Sequence, residues 1–161
     1  MISRQRGFCD LQTGLRDRQY LEERLSEEFA RAERTVGMRL SILAVDVSED
    51  EPFGAVDNPG AIGEVLTLTA RTLVRNLRFH DVCCRADKTE FVAILVNVDS
   101  EQCQTVKTRI YRLMERTRCD FSPRFVFRIG VATWPEQGLS SDELITTAMI
   151  DKERARGISA I

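Results

Sequence analysis

Residues 82–98 read Val-Cys-Cys-Arg-Ala-Asp-Lys-Thr-Glu-Phe-Val-Ala-Ile-Leu-Val-Asn-Val, and this stretch decides the fold. Two short apolar runs, 82–86 and 91–98, flank the polar residues Asp87, Lys88 and Thr89. Two apolar runs joined by a few turn-prone residues are typical of a β-hairpin. The sequence therefore predicts a hairpin with its tip at Asp87 and Lys88.

Helical and strand patterns surround this hairpin on both sides. Upstream, the sequence predicts a helix capped by Asp17 and ended by Gly37, a buried strand over Leu40–Val47, a loop over Ser48–Asn58, and a helix from Pro59 to Leu77. Downstream, it predicts a helix capped by Ser100 that reaches about Thr117, followed by a strand over Arg124–Thr133. A last helix is predicted to begin at Ser140, to reach about Arg156 and to end at Gly157.

The order of these elements predicts the fold class. From Leu40 to Thr133 it is β-α-β-β-α-β, with an extra helix at each end. This is the ferredoxin-like split βαβ arrangement, an α+β fold with an antiparallel sheet and helices on one face. In that arrangement Asp46, near the end of the first strand, lies beside the turn from Asp87 to Glu90. A lone carboxylate at this position either accepts local hydrogen bonds or once held a metal.

Composition excludes several classes of protein. A chain of 161 residues, 43% hydrophobic and 30% charged, has the size and composition of one soluble globular domain. A net charge of −2 argues against a DNA- or RNA-wrapping protein. No apolar run approaches the ~20 residues of a membrane span, so this segment predicts no membrane contact. The N-terminus lacks a signal peptide, and the five scattered cysteines predict reduced thiols, which together indicate a cytoplasmic location.

Two further motifs carry a resemblance to a known family. Asp-Leu-Gln-Thr-Gly-Leu-Arg-Asp-Arg at 10–18 resembles D-x-L-T-G-L-x-N-R, and Ile-Gly-Val-Ala-Thr at 129–133 with Pro135 resembles S-x-G-V-A-x-x-P. Both motifs, in this order and spacing, are those of the GGDEF domain of diguanylate cyclases. The resemblance implies the palm-type GGDEF fold for a single domain, residues 1–161, with a core of about 10–157.

The signature hairpin departs from the family in the residues that perform catalysis. Family members join two GTP molecules with Mg²⁺ held by acidic residues, and their Gly-Gly-Asp-Glu-Phe hairpin is here Asp87, Lys88, Thr89, Glu90 and Phe91. Two side chains fill the space that the glycines leave for the triphosphate. A threonine hydroxyl replaces a metal-binding carboxylate. The resemblance therefore implies a degenerate signature with no catalytic residues and no Mg²⁺ cofactor, in which Asp46 is a vestigial metal position.

Other nucleotide contacts of the family are also changed. Glu51 stands where the family has a phosphate-binding lysine, and its charge would repel the nucleotide. Gly54 and Gly63 align with the two guanine-binding residues, although the placement of the gap before Gly63 is open. Near the C-terminus Arg154 aligns with a phosphate-contacting lysine and Asp151 with a tyrosine.

One functional motif of the family is retained. Arg78 and Asp81 form an Arg-x-x-Asp pair, and five residues separate Asp81 from the signature, as in the inhibitory site that binds cyclic di-GMP. The family's second arginine of that site falls at Arg109. A carboxylate accepts the N1 and N2 protons of guanine, and a guanidinium bonds O6 and N7 or a phosphate. Phe79 or His80 could stack on the base. The alternative is a local salt bridge at 78–81 and a solvated arginine at 109.

Two functions of different classes follow. The first is a catalytically inactive GGDEF domain that acts in bacterial signalling as a cyclic di-GMP receptor, through Arg78, Asp81 and Arg109, with a ligand-dependent homodimer or a partner signalling protein. The alternative is a protein interaction or dimerisation module that binds no nucleotide. An active diguanylate cyclase is the most distant possibility.

Overall fold

The computed structural model describes residues 9–49, 60–121 and 125–155, and for 118–121 it describes the backbone alone. The elements are α1 (Arg18–Glu33), β1 (Leu40–Glu49), α2 (Ala61–Asn76), β2 (Val82–Arg85), β3 (Glu90–Val96), α3 (Ser100–Phe121), β4 (Phe125–Trp134) and α4 (Ser141–Arg154). The sheet order is β2-β3-β1-β4, with every neighbouring pair antiparallel. The α+β fold, the β-α-β-β-α-β order and the hairpin are therefore as the sequence predicts.

Strand β1 lies in the middle of the sheet. Its first eight residues are buried, because strands cover both of its edges and helices cover both of its faces. The strand is longer than predicted, since Ser48 and Glu49 continue the pairing with β4 opposite Val126 and Phe125. The predicted loop therefore does not begin at Ser48. The rest of that loop and the predicted helix start at 59 lie outside the described residues.

Each face of the sheet carries its own hydrophobic core, because side chains alternate between the faces along every strand. The first core joins the sheet to α2 and α3 through Leu43, Val45, Phe91, Leu95, Ile129, Val65, Leu66, Leu73, Ile110 and Met114. The second joins it to α1 and α4 through Leu40, Ile42, Val92, Ile94, Ala132, Leu21, Leu25, Phe29, Leu144 and Ala148. Helices α2 and α3 occupy one face, as the split arrangement predicts. The two extra helices cover the other face, so the sheet has helices on both sides.

The start of α1 is as predicted, but its end is not. The Oδ1 atom of Asp17 accepts a hydrogen bond from the backbone N–H of Tyr20 at 3.1 Å, which caps the helix. The helix ends at Glu33, before the predicted stop at Gly37. Gly37 has a φ of 78° and lies in the turn that follows, where the left-handed backbone suits glycine.

The cap of α3 lies one residue earlier than predicted. Asp99 Oδ1 accepts from the N–H of Gln102 at 2.8 Å, and Gln102 Oε1 accepts from the N–H of Asp99 at 3.1 Å. This reciprocal capping box makes Ser100 the first helical residue and not the cap. The helix also continues to Phe121, beyond the predicted Thr117.

Helix α4 begins as predicted, because Ser140 Oγ accepts from the N–H of Glu143 at 3.2 Å. It ends at Arg154, and the predicted end at 156–157 lies outside the described residues. No helix in the described part of the chain is both long and apolar enough to cross a membrane.

Candidate functional site

The tip of the hairpin lies beside the end of β1, as the split arrangement predicts. Asp46 is opposite Glu90 of β3 and opposite Arg128 of β4. Its Oδ1 accepts from Thr89 Oγ1 at 3.0 Å, and its Oδ2 accepts from Arg128 Nη1 at 3.1 Å. The side chains of Asp46 and Arg128 are only 12% and 14% exposed, so this ion pair is largely shielded from water. Asp46, the predicted vestigial metal position, therefore has a cation beside it.

Arg128 is a residue that sequence reasoning missed. Its strand was predicted correctly, but alternation alone does not say which side chain across the sheet it meets. A signal was present in the S-x-G-V-A motif, because counting back from Gly130 puts Arg128 at the serine position. A guanidinium in place of that hydroxyl is what neutralises Asp46.

A second internal cation reaches the signature hairpin from α4. Lys152 is buried, with 2% of its surface exposed, and its Nζ donates to Glu90 Oε1. The sequence alignment assigned the C-terminal phosphate-contacting position to Arg154. The structure places Arg154 elsewhere, along a shallow apolar concavity with Ile145 and Met149. Lys152 was missed, although its spacing from Leu144 and Ala148 places it on the buried face of the helix.

Gly130 allows α4 to approach the sheet closely enough for this contact. A Cβ atom at Gly130 would lie 2.1 Å from the carbonyl oxygen of Ala148 and 2.2 Å from the backbone nitrogen of Lys152. Asp151 anchors the same turn of the helix. Its Oδ2 accepts from the N–H of Val131 at 2.9 Å and from Lys107 Nζ at 2.9 Å. The glycine of the S-x-G-V-A motif is thus a packing requirement of this fold.

The hairpin tip is held by Arg85, which contacts the opening motif. Arg85 Nη2 donates to the carbonyl of Lys88 at 2.5 Å, and Nη1 donates to Asp10 Oδ2 at 3.0 Å and to Gln12 Oε1 at 2.6 Å. Burial alone would raise the pKa of Asp10, but hydrogen bonds from Thr13 and Arg85 outweigh it and lower the pKa from its ordinary value of 3.8. The opening motif and the hairpin tip therefore form one hydrogen-bonded unit.

The Arg-x-x-Asp turn is held by hydrogen bonds that involve its backbone, and not by a salt bridge between the side chains of Arg78 and Asp81. The N–H of Arg78 donates to Asp81 Oδ2 at 2.8 Å, and the N–H of Asp81 donates to the carbonyl of Arg78 at 3.1 Å. Asp81 Oδ1 also accepts from the N–H of Val96 at 3.3 Å, which ties the turn to β3. Among the described residues, no ion pair includes the guanidinium of Arg78, so the local salt bridge is not formed.

The three predicted ligand-binding residues line one cavity. It has a volume of about 190 Å³ and lies between the 78–81 turn and the first half of α3. Arg109 reaches it from α3 and donates through Nη2 to the carbonyl of Asn76, at the end of α2, at 2.7 Å. The cavity is lined by Leu77, Arg78, Asp81, Leu95, Val98, Gln102, Thr105, Val106 and Arg109. Aliphatic walls with a carboxylate and two guanidinium groups suit a nucleobase, which has flat apolar faces and hydrogen-bonding groups along its edges.

The turn also exposes Phe79 completely. His80 is exposed as well, and stacking of either ring on a base stays a prediction. Gly63 lies in the first turn of α2 beside Gln12, while the positions aligned with the phosphate-binding lysine and the first guanine-binding residue lie outside the described residues. In the described part of the chain, no three His, Cys, Asp or Glu side chains cluster closely enough to hold a metal.

The four-stranded antiparallel sheet, with its hairpin tip beside the end of the central strand, defines a palm-type α+β domain. Residues 8–157 match the sequence model of the family described as "Diguanylate cyclase, GGDEF domain". The chain belongs to this family.

Two curated relatives show the same relationship in sequence. The chain is 31% identical over 160 residues to the uncharacterized protein y4lL of Sinorhizobium fredii, a match that covers 91% of this chain and 18% of that protein. It is 26% identical over 117 residues to diguanylate cyclase DosC of Escherichia coli, covering 73% of this chain and 25% of DosC. The chain thus spans a quarter or less of the length of these relatives.

Solved structures show the same fold. The GGDEF domain of DgcB from Caulobacter crescentus, in complex with c-di-GMP, superposes with a TM-score of 0.75 at 16% identity, over 92% of this chain and 90% of that one. The FimX GGDEF domain of Pseudomonas aeruginosa gives 0.73 at 16% identity, over 92% and 94%. Diguanylate cyclase SiaD of the same organism, in complex with its activator SiaC, gives 0.74 at 24% identity, over 94% and 58%.

Proposed function

We propose that this GGDEF domain is catalytically inactive and serves as a receptor for cyclic di-GMP, which it binds at the cavity formed by Arg78, Asp81 and Arg109. One observation carries the proposal. The turn before the hairpin and helix α3, which are distant in sequence, bring these three side chains to a single cavity. Neither guanidinium belongs to an ion pair among the described residues.

The chemistry of the cavity matches one guanine base of the ligand. Backbone N–H groups of Arg78 and Val96 orient the Asp81 carboxylate, and each of its oxygens keeps a lone pair for the N1 and N2 protons of guanine. The Arg78 and Arg109 guanidinium groups supply donors for O6, N7 or a phosphate. Leu77 and Val106 provide an apolar wall for the face of the ring. DgcB, which has the same fold, is known in complex with c-di-GMP.

The proposed lack of catalysis is supported by the carboxylates of Asp46 and Glu90, which already accept hydrogen bonds from cationic side chains. A diguanylate cyclase needs acidic side chains that are free to bind Mg²⁺. Here Asp46 accepts from Arg128 and Glu90 accepts from Lys152, while Thr89 contributes only a hydroxyl. A guanidinium and an ammonium at this face repel a divalent cation, so the described residues around Asp46 and Glu90 disfavour the metal-dependent step.

Calorimetry with cyclic di-GMP tests the receptor proposal. We expect the parent chain to bind with a dissociation constant in the micromolar range or tighter. Loss of charge-assisted hydrogen bonds in Arg78→Ala or Asp81→Asn should cost about 2 kcal/mol, roughly a 30-fold loss of affinity. Arg34→Ala is the matched control, because Arg34 is also exposed and its guanidinium donates to the carbonyl of Ala30 within its own helix turn. The proposal fails if the parent gives no heat at millimolar ligand.

Incubation with GTP and either Mg²⁺ or Mn²⁺ tests the inactive assignment. We expect no cyclic di-GMP from the parent, and none from Thr89→Asp, because Arg128 remains beside Asp46 to neutralise the restored carboxylate pair. Product from the parent would overturn the assignment. Thr89→Asp combined with Arg128→Ser should bind Mg²⁺ at least about tenfold more tightly than Thr89→Asp alone, since removing one repulsive charge is worth more than 1.4 kcal/mol in a shielded site.

The second candidate function is a protein interaction module that binds no nucleotide. It is favoured by the complete exposure of Phe79 and by the apolar concavity along α4. Sedimentation of the chain with and without cyclic di-GMP separates the two. A ligand-dependent change in mass supports the receptor with a ligand-bridged dimer. An unchanged mass, combined with no heat of binding, supports the interaction module.

A further inference from the structure

A shallow concavity adjoins the cavity at the Arg-x-x-Asp turn. It has a volume of about 550 Å³ and follows the outward side of α3, and it shares Thr105 and Arg109 with the smaller cavity. Its lining residues are Glu101, Gln104, Thr105, Thr108, Arg109, Arg112, Leu113 and Arg116. The two cavities are therefore parts of one continuous surface.

Three arginines of α3 line this concavity. Arg109, Arg112 and Arg116 are spaced by three and four residues, which places them on one side of the helix, and all three are exposed. Like charges at this spacing repel one another and destabilise a helix. Such a cluster creates a local positive potential that an anionic ligand would neutralise.

Arg112 and Arg116 differ from several other arginines of the described residues in forming no ion pair. Arginines elsewhere pair with nearby carboxylates, as Arg24, Arg39, Arg85 and Arg128 do. No ion pair of the described residues includes Arg112 or Arg116. Glu101 is the acidic residue of the lining, and it lies two turns or more from both along the helix.

The smaller cavity is too small to enclose a whole cyclic dinucleotide. Cavities that enclose a drug-sized ligand have volumes of about 300–1,000 Å³. A cavity of about 190 Å³ is below this range, whereas the concavity of about 550 Å³ is within it. A cyclic dinucleotide carries two bases and two phosphates, so with one base in the small cavity the remainder of the ring would lie over α3.

From these observations we infer that Arg112 and Arg116 form a phosphate-binding extension of the site, in which the guanidinium groups of α3 bind the phosphates of a cyclic dinucleotide whose base is held by Asp81. The inference rests on the proposed receptor function and adds residues to it. Arginine suits this role, because its planar fork bonds a phosphate through two parallel N–H groups. The distance from Arg109 to Arg116, about 10 Å along the helix, allows more than one phosphate to be engaged.

Calorimetric titration with cyclic di-GMP tests the inference on the parent, Arg112→Gln, Arg116→Gln and the double variant, at low and at high salt. We expect each single variant to lose about tenfold in affinity and the double variant about 100-fold, in line with lost charge-assisted hydrogen bonds. The affinity of the double variant should also depend less on salt than that of the parent, since fewer charges are screened. Arg34→Gln is the control and should bind like the parent.

The outcomes distinguish this inference from the function on which it rests. A double variant that binds as tightly as the parent, while Arg78→Ala binds weakly, overturns the phosphate-binding role and leaves the receptor function in place. A parent that does not bind cyclic di-GMP overturns both. Unfolding of the ligand-free chains provides a control for folding. The double variant should unfold at the same temperature as the parent or slightly higher, because repulsion along α3 is removed.

Discussion

The two ends of the β2–β3 hairpin differ in whether their charged side chains have ion-pair partners among the described residues. At the tip, the carboxylates of Asp46 and Glu90 accept hydrogen bonds from Arg128 and Lys152, and the exposed fractions of these side chains range from 3% to 29%. At the entry, Arg78 is exposed and belongs to no ion pair of the described residues. A charge that is neutralised inside the chain contributes to stability, whereas a charge without an internal partner is available to a ligand. This contrast is the reason that we propose ligand binding at the entry of the hairpin.

The largest expected effect concerns the glycine that brings Lys152 to the tip. Gly130→Ala should destabilise the fold by about 3 kcal/mol, because the added Cβ meets the backbone of α4 and the helix must move. Urea unfolding followed by circular dichroism measures the change. Gly63→Ala is the matched control, since its Cβ would meet only the flexible end of Gln12 at 3.0 Å, and its stability should stay within about 0.5 kcal/mol of the parent. Equal stabilities for the two variants would contradict the close approach.

The next effect compares two arginines, one from each end of the hairpin. Arg128→Ala should cost about 2–3 kcal/mol of stability, because it leaves the shielded carboxylate of Asp46 without its cation. Arg78→Ala should change stability by less than about 0.5 kcal/mol, because the guanidinium has no internal partner among the described residues. Thermal unfolding of both variants measures the difference. A larger loss for Arg78→Ala than for Arg128→Ala would reverse the assignment of structural and binding roles.

A smaller effect is expected for the ion pair on α4. Lys152→Met fills most of the same volume but leaves Glu90, whose side chain is 29% exposed, without its partner. We expect a loss of about 1–2 kcal/mol. Adding Glu90→Gln should recover part of it, because the unpaired charge is then removed. A double-mutant cycle in urea measures the coupling, and additive losses would show that the two side chains do not interact.

The smallest effect is a pH dependence at Asp10. Its pKa is lowered in the folded state, so the unfolded chain binds a proton more readily, and the carboxylate stabilises the fold above about pH 4. This stabilisation is lost as the pH falls through the lowered pKa. Asp10→Asn should therefore be less stable than the parent by about 0.5–1 kcal/mol at pH 7, and this difference should shrink as the pH falls below 3.8 and through the lowered pKa. Urea unfolding at pH 7 and at a series of values below pH 4 measures this, and a difference that stays constant over the whole series would show that charge is not the cause.

Most of the fold could be predicted from local sequence patterns. The hairpin, the buried central strand and the helical spacings are properties of neighbouring residues, and the described part of the chain confirms them. Helix ends were less predictable, because Asp99 and Ser100 are both good caps and the reciprocal bond to Gln102 decides between them.

The site could be predicted only in part, for a physical reason. Arg78 and Asp81 are close in sequence, and Arg109 was placed by its family resemblance. The partners of the signature hairpin were not predictable in this way. Arg128 is 82 residues from Asp46, and Lys152 is 62 residues from Glu90. Such pairs depend on strand register and helix packing, which the local pattern around either residue does not determine.

Helices α1 and α4 cover the same face of the sheet, and this has a consequence for synthesis on the ribosome. The core formed by Leu21, Leu25 and Phe29 is completed by Leu144 and Ala148, which are translated more than a hundred residues later. The core beneath α2 and α3 needs no residue from α4. We therefore expect the nascent chain to assemble the α2–α3 side first and to expose the apolar face of α1 to chaperones until α4 emerges.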